Sequence, residues 1–241
     1  TAQLNATGKA VITAAQINKS TTDNCDAASA MTFELDKTTF NCSNIGENTL
    51  TFTATDSKGN KVSKSVTVII EDKVAPIVVT QNFTAQLDAT GNAIITTANI
   101  NNGSSDNCSI KTLALDKTTF NCANIGVNTV TLTVEDVNGN VASKTATVTV
   151  QDNIVPVISV NDNFTAQLDA TGNAVITAAQ INKSTTDNCD ATSAMTFELD
   201  KTTFNCTNIG QNTIIFTATD SKGNKVSKSV TVIIEDKVAP I

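Results

Sequence analysis

The sequence predicts an all-β protein made of tandem Greek-key sandwiches, and three observations carry that expectation. Val130, Leu132 and Val134 alternate with Thr129, Thr131 and Thr133, a period of two that only a strand can place on one face. Asp136-Val-Asn-Gly-Asn140 then supplies turn chemistry before a second strand opens at Val141, as in a hairpin. The whole block Phe120–Asn140 recurs at Phe40–Asn60 and Phe204–Asn224. The chain is a repeat array.

Thr-Ala-Gln-Leu opens at Thr1, Thr84 and Thr165, giving periods of 83 and 81 residues. Residues 1–76 and 165–240 differ at seven positions, residues 5, 9, 28, 43, 47, 50 and 51 of the first copy. The middle copy is more distant and lacks three residues after Cys108. A unit of this size can hold a core but buries only roughly 60% of its unfolded surface, so it usually needs a staple. A period well above the ~20–50 residues of solenoids points to separate domains in series.

Each copy reads as a series of short strands. In the first, Thr1–Leu4 and Lys9–Thr13 flank the Asn5-Ala-Thr-Gly8 turn, and Thr13-Ala-Ala-Gln16 fits a capping box for one helical turn. Met31–Leu35 and Thr38–Cys42 follow, then the hairpin Thr49–Asp56 and Val62–Ile70. About seven strands at spacings of ~8–12 residues favour a Greek-key sandwich over a barrel. Proline-ended linkers, Glu71–Pro76, Gln151–Pro156 and Glu235–Pro240, mark the handover between domains, because proline cannot continue a central ladder. Ile77–Phe83 reads as an opening strand of the second domain. The expected domains are therefore residues 1–75, 76–155 and 156–241. The first copy lacks an opening strand and Pro240-Ile241 begins a fourth, so the chain reads as an internal slice of a longer array.

Composition narrows the function. Net charge is −7 and no histidine, tyrosine, tryptophan or arginine is present. Without a basic patch to displace counterions, nucleic acid is not an expected partner. No apolar run approaches the ~20 residues of a membrane span, so membrane insertion of this segment is not expected either. With no histidine base, no arginine clamp and no phosphate-binding glycine loop, the chain is not expected to be an enzyme.

Six cysteines fall two to a copy. A copy that must fold alone pairs its own: Cys25 with Cys42, Cys108 with Cys122, Cys189 with Cys206. Each bond would close a loop of about 15 residues, worth about 3 kcal/mol in the chain-entropy model, in an oxidising compartment. Zinc is not expected, since two cysteines without histidine leave a tetrahedral site incomplete. Bonds between different copies would count against a string of self-sufficient spacers.

Asp-Asn-Cys, then Phe-Asn-Cys-x-Asn-Ile-Gly-x-Asn-Thr, then Asp-x-x-Gly-Asn, then a Thr-Val run ending in Asp-x-x-x-Pro, resembles the extracellular repeats of Bacteroidota surface adhesins. The nearest are gliding-motility adhesins of the SprB type, close to HYR-like immunoglobulin-fold repeats, and the resemblance covers the whole chain three times over. It implies immunoglobulin-like sandwiches in a long bacterial cell-surface filament, exported by type IX secretion, which projects a binding region and bears load in attachment or gliding. Expected partners are the neighbouring repeats of the same chain, with surface polysaccharide or other cell-surface proteins as candidates beyond them. The alternative is a carbohydrate- or ligand-binding sandwich module of a secreted protein. Such modules usually stack sugars on Trp or Tyr, and only Phe is available here.

No cofactor is required by this reading, but Ca2+ is a candidate. Asp136-Val-Asn-Gly-Asn140 starts like a calcium loop, yet position twelve is Thr147, and in the other copies the third position is Lys58 or Lys222. As a self-contained site it fails. A composite site survives, because in an immunoglobulin-like sandwich the linker, the loop before the third strand and the last hairpin meet at one end. Asp72 would then approach Asp106, Asn107 and Asp136, and Asp152 would approach Asp187, Asn188 and Asp220.

Overall fold

The computed structural model describes residues 1–239; the expectation that Pro240-Ile241 begins a fourth copy lies outside the described residues. The protein is all-β, with tandem immunoglobulin-like sandwiches. Its chain divides into two compact units. One comprises Thr1–Asn82, Thr96–Lys117 and Thr129–Ala146; the other comprises Phe83–Ile95, Thr118–Asn128 and Thr147–Ile241. The middle copy thus contributes to both.

In the first unit, the first copy forms β1 (Ala2–Gln3), β2 (Lys9–Val11), α1 (Ala14–Ile17), β3 (Thr32–Leu35), β4 (Thr39–Asn41), β5 (Gly46–Thr55) and β6 (Lys61–Glu71). One sheet runs β1-β6-β5-β3 and faces the two-stranded ladder β2-β4. Only β1 is parallel to its neighbour, with Ala2 opposite Ile70. Period-two alternation turns Leu50, Val68 and Ile70 inward against Leu4, Ala10, Ile12 and Phe40, and removing that apolar surface from water drives the packing. The middle copy adds β9 (Ile110–Leu115), paired with β11 (Gly126–Asp136) from Leu132 opposite Leu115 to Asp136 opposite Ile110.

The second unit holds the rest. From the middle copy, β7 (Phe83–Gln86) runs parallel to the end of β12 (Val141–Gln151), and β8 (Asn92–Ile94) pairs with β10 (Thr119–Asn121). The third copy forms β13 (Phe164–Gln167), β14 (Asn173–Val175), α2 (Ala178–Ile181), β15 (Thr196–Leu199), β16 (Thr203–Asn205), β17 (Gly210–Thr219) and β18 (Lys225–Glu235), with sheet order β13-β18-β17-β15 and a β14-β16 ladder. Ile176, Ile181, Phe204, Ile214, Phe216 and Val232 lie at the centre of its core. The capping box forms as the sequence predicts. Thr177 N–H donates to Gln180 Oε1 (2.8 Å), and Gln180 N–H donates to Thr177 Oγ1 (3.4 Å).

Two expectations are corrected. The opening segment Ile77–Phe83 is not a continuous strand; strand pairing begins only at Phe83. Before it stand isolated bridges, Ile77 to Ser105 and Thr80 to Asn101. The partner is a loop bent by Gly103 at φ 83, which offers single hydrogen bonds and no ladder.

The second correction concerns the cysteines. Cys42 bonds Cys108 and Cys122 bonds Cys189, so each disulfide joins neighbouring copies. Cys25 and Cys206 are free and exposed, and none of the expected pairs within a copy forms. The two cysteines of the middle copy belong to different units, and each bonds one of the two further cysteines in its own unit. The cause is local docking. Asn107 Nδ2 donates to the carbonyl of Asn5 at 3.2 Å, which sets Cys108 beside Cys42. A Cβ at Gly8 would meet the Asn107 carbonyl at 2.7 Å and Cys42 Sγ at 2.9 Å. Gly91 stands in the same relation to Asn188 and Cys122. Only glycine, at φ 68 and 74, admits that approach.

Candidate metal centre

Asp136 closes β11, and its side chain organises the turn that follows. Asn138 and Asn140 each donate a backbone N–H to Asp136 Oδ1 at 2.8 Å, while Asn140 Nδ2 donates to Oδ2 at 2.7 Å. This is the hairpin reading of Asp-x-x-Gly-Asn, an aspartate holding its own backbone. Burial, the largest single influence, pushes the Asp136 carboxyl up, but the donors from Asn140, Asn138 and Gly139 together hold it below the usual carboxylate range. It is buried and ionised.

Asp106 arrives on the loop before β9. Its Oδ2 accepts from the N–H groups of Cys108 (2.8 Å) and Ser109 (3.2 Å). Asp72 arrives on the linker after β6. Its Oδ1 accepts from Val74 N–H and from Asn107 Nδ2, both at 3.1 Å. Asn140 Nδ2 also donates to the Asp72 carbonyl at 3.3 Å, tying the linker to the hairpin. One carboxylate oxygen of each aspartate lies within 4.8 Å of the others.

Asp72 and Asp106 therefore each have one oxygen held by donors and one left over, while both oxygens of Asp136 accept hydrogen bonds within its own hairpin. Asp72 Oδ2, Asp106 Oδ1 and Asn107 Oδ1 are buried without a hydrogen-bond partner. Asn107 is turned this way because its Nδ2 is engaged by Asn5 and Asp72. The second unit repeats the arrangement. Asp152, Asp187 and Asp220 converge within the same 4.8 Å, and Asp152 Oδ2, Asp187 Oδ1 and Asn188 Oδ1 are its partnerless atoms. Asn188 Nδ2 bridges the Asp88 carbonyl (3.2 Å) and Asp152 Oδ1 (3.1 Å), and Asn224 Nδ2 donates to the Asp152 carbonyl (3.1 Å).

A buried acceptor without a partner costs about 1–3 kcal/mol. Two carboxylates at this separation repel by about 3 kcal/mol at an effective dielectric of 20. Among the described residues, none of these aspartates makes an ion pair. A bound cation would offset both costs. The donors are all oxygens, three carboxylates and an amide, the chemistry of a hard ion such as Ca2+ and a poor match for zinc or copper.

All eight residues singled out from the sequence meet in these two clusters. Sequence reasoning missed Asn140 and Asn224, which link hairpin to linker, and the Asn5 and Asp88 carbonyls, which orient the amides. The recurrence of Gly-Asn after each hairpin aspartate was the available signal for the first pair. Nothing in the sequence marks the carbonyls, since every residue has one.

No protein-family model and no curated protein matches the chain. Solved structures similar to it include Drosophila N-cadherin EC1-4, at 15% identity and a TM-score of 0.39, covering 80% of this chain and 58% of that one. Another is protocadherin gamma B7, extracellular cadherin domains 1-4, at 14% and 0.33, covering 81% and 59%. The protocadherin gamma B4 extracellular domain, at 13% and 0.37, covers 86% and 43%. The chain spans roughly half the length of these three.

Proposed function

We propose that this chain is a structural repeat segment of an extracellular adhesion protein, with domains 1–75, 76–155 and 156–241 joined through Ca2+-binding junctions. The resemblance to gliding-motility adhesins extends the reading to a bacterial surface filament that projects a binding region and bears load. One observation carries it. At two junctions, three carboxylates converge within 4.8 Å of one another, with buried and partnerless oxygens among their atoms, beside a disulfide that joins neighbouring copies. Copies bonded to one another are no longer self-sufficient spacers. They form a chain in which tension passes through covalent cross-links as well as through the linkers.

The test is calcium titration by calorimetry, paired with melting in calcium and in chelator. Binding at about 100 times the dissociation constant stabilises by about 2.7 kcal/mol per site, which for a chain of this size raises the melting temperature by on the order of 5–10 °C. No heat and identical melting curves would remove the metal from the reading. A carbohydrate-binding module needs an open aromatic platform. Phe40, Phe120, Phe204 and Phe216 are buried, and Phe33 stacks on Phe52 as Phe197 does on Phe216. Reproducible sub-millimolar binding on a glycan array would favour that rival.

A further inference from the structure

Three consecutive residues at each junction serve both the acidic cluster and the cross-link. In the first unit they are Asp106, Asn107 and Cys108; in the second, Asp187, Asn188 and Cys189. Cys108 N–H donates to Asp106 Oδ2 at 2.8 Å, and Asp106 Oδ1 is left buried without a partner. Cys189 does the same for Asp187 at 2.9 Å. The backbone of each cysteine thus fixes a carboxylate of the cluster, while its sulfur holds the bond to the preceding copy.

The asparagine between them touches both. Its side-chain oxygen, Asn107 Oδ1, is one of the buried atoms without a partner. Its carbonyl oxygen lies 3.5 Å from Cys42 Sγ, the far sulfur of the bond. In the second unit the Asn188 carbonyl oxygen lies 3.5 Å from Cys122 Sγ, and Asn188 Nδ2 donates to Cys189 Sγ at 3.5 Å. Apart from the bond, Asn107 is tied across the junction through Nδ2, to the Asn5 carbonyl at 3.2 Å and Asp72 Oδ1 at 3.1 Å. Two hydrogen bonds are a weak tether beside a covalent link between residues 66 positions apart.

We infer that the disulfide and the cation site of each junction are one redox-linked device: the bond sets the affinity of the site, and bound Ca2+ protects the bond. The inference rests on the reading of the clusters as cation sites. With the bond closed, Asp106 and Asn107 stand in place before the ion arrives, so binding need not order their loop. With the bond open, repulsion among the three carboxylates favours departure of that loop until a cation joins them. Linkage makes the effect reciprocal: the factor by which the bond raises Ca2+ affinity is the factor by which Ca2+ resists reduction, typically about 5–150-fold. The reductant is a dithiol such as dithiothreitol. Its two thiols give up two electrons and two protons and close to a cyclic disulfide, while the S–S bond of Cys42 and Cys108 breaks and takes them up as two thiols. All four bonded cysteines are only half-buried, within reach of a small thiolate.

The test takes the full-length chain through a series of reduced-to-oxidised dithiothreitol ratios, traps thiols by alkylation and reads each cysteine by peptide mass spectrometry. Calcium is expected to move the reduction midpoint of both bonds by about tenfold in that ratio. Asp72→Asn is expected to cancel the shift at Cys42–Cys108 and leave it at Cys122–Cys189, an asymmetry that a merely structural cross-link would not give. In calorimetry, Cys42→Ser with Cys108→Ser is expected to weaken one site by about tenfold and keep the other, which also reports that the second unit is folded. If the unsubstituted chain binds Ca2+ and neither midpoint moves, the linkage falls and the cation sites stand. If it binds no Ca2+, the reading of the clusters falls and takes the linkage with it. A shift that survives at both bonds in Asp72→Asn would overturn the local coupling, since protection would then come from the chain as a whole.

Discussion

Ile17 and Ile181 occupy the same position in copies that differ at seven positions of 76, yet Ile181 is fully buried and Ile17 only partly so. The contrast extends to Met31 against Met195, Phe52 against Phe216, Val66 against Val230 and Asp56 against Asp220. None of these pairs is itself substituted. What differs is the segment ahead of the third copy. Ile158 and Val160 pack on the core that contains Ile181 and Phe216, and Asn161 N–H donates to the Ile181 carbonyl at 2.8 Å. A junction segment therefore finishes both the apolar core and the burial of the hairpin aspartate. A copy is complete only once its neighbour's linker has arrived.

The largest effect expected from that comparison lies in the cross-links. Cys122→Ser with Cys189→Ser opens a bond spanning 67 residues, worth about 4 kcal/mol in the chain-entropy model. Urea unfolding should show that loss, whereas Cys25→Ser should leave the midpoint unchanged. Equal losses would mean that the first copy's cysteine is also bonded.

Next come the isoleucines. Ile181→Ala removes a fully buried side chain and should cost about 3 kcal/mol, while Ile17→Ala, already half-open, should cost nearer about 1 kcal/mol. The ratio measures how much of the core the junction segment encloses. Equal costs would show that Ile158 and Val160 add no enclosure.

Asp152→Asn should act in opposite directions with and without metal. In chelator it relieves repulsion within the Asp152–Asp187–Asp220 cluster and raises the melting temperature slightly. In calcium it removes one of two sites and should lower the calcium-induced rise by about half. Asp56→Asn should leave the calcium-induced rise unchanged, since among the described residues that aspartate joins no carboxylate cluster. A fall in stability in both conditions would make Asp152 a structural hydrogen-bond acceptor and nothing more.

Much of this architecture was legible because its signals are local. The hairpins β5–β6, β11–β12 and β17–β18 announce themselves in alternation and in Asp-x-x-Gly-Asn, and the capping box at Thr177 needs only its own turn. Asp72, Asp106 and Asp136 could be grouped because linker, loop and hairpin of one sandwich share an end. The disulfides were not legible. Cysteine spacing favours the short loop, but the choice of partner depends on Asn107 reaching Asn5 and on the missing Cβ of Gly8, contacts between residues about a hundred positions apart. The opening segment was misread for a related reason: Ile77-Val-Val-Thr has strand propensity, and propensity cannot tell whether a ladder partner exists.

The smallest expected effect separates the middle copy from its neighbours. Where the first and third copies place Met31 and Met195, the middle copy places Lys111, which pairs with Glu135 at 2.8 Å on the exposed face of β9 and β11. The hydrogen bond and charge of Glu135 raise the Lys111 ammonium above its usual range. A cation raised on folding adds stability that is fully present below its unfolded value and is lost as pH climbs through the folded one. Any contribution that Lys111 makes through this pair is therefore lost on the alkaline side, as pH climbs through its raised value. Because both groups are exposed, solvent screens the pair, and Lys111→Ala should leave the urea midpoint at neutral pH within error. Met195→Ala, which opens a buried site, should lower it measurably. If Lys111→Ala proved the more damaging change, the middle copy would be held by its surface charge pair, and the enclosure of its neighbours' cores would not describe it.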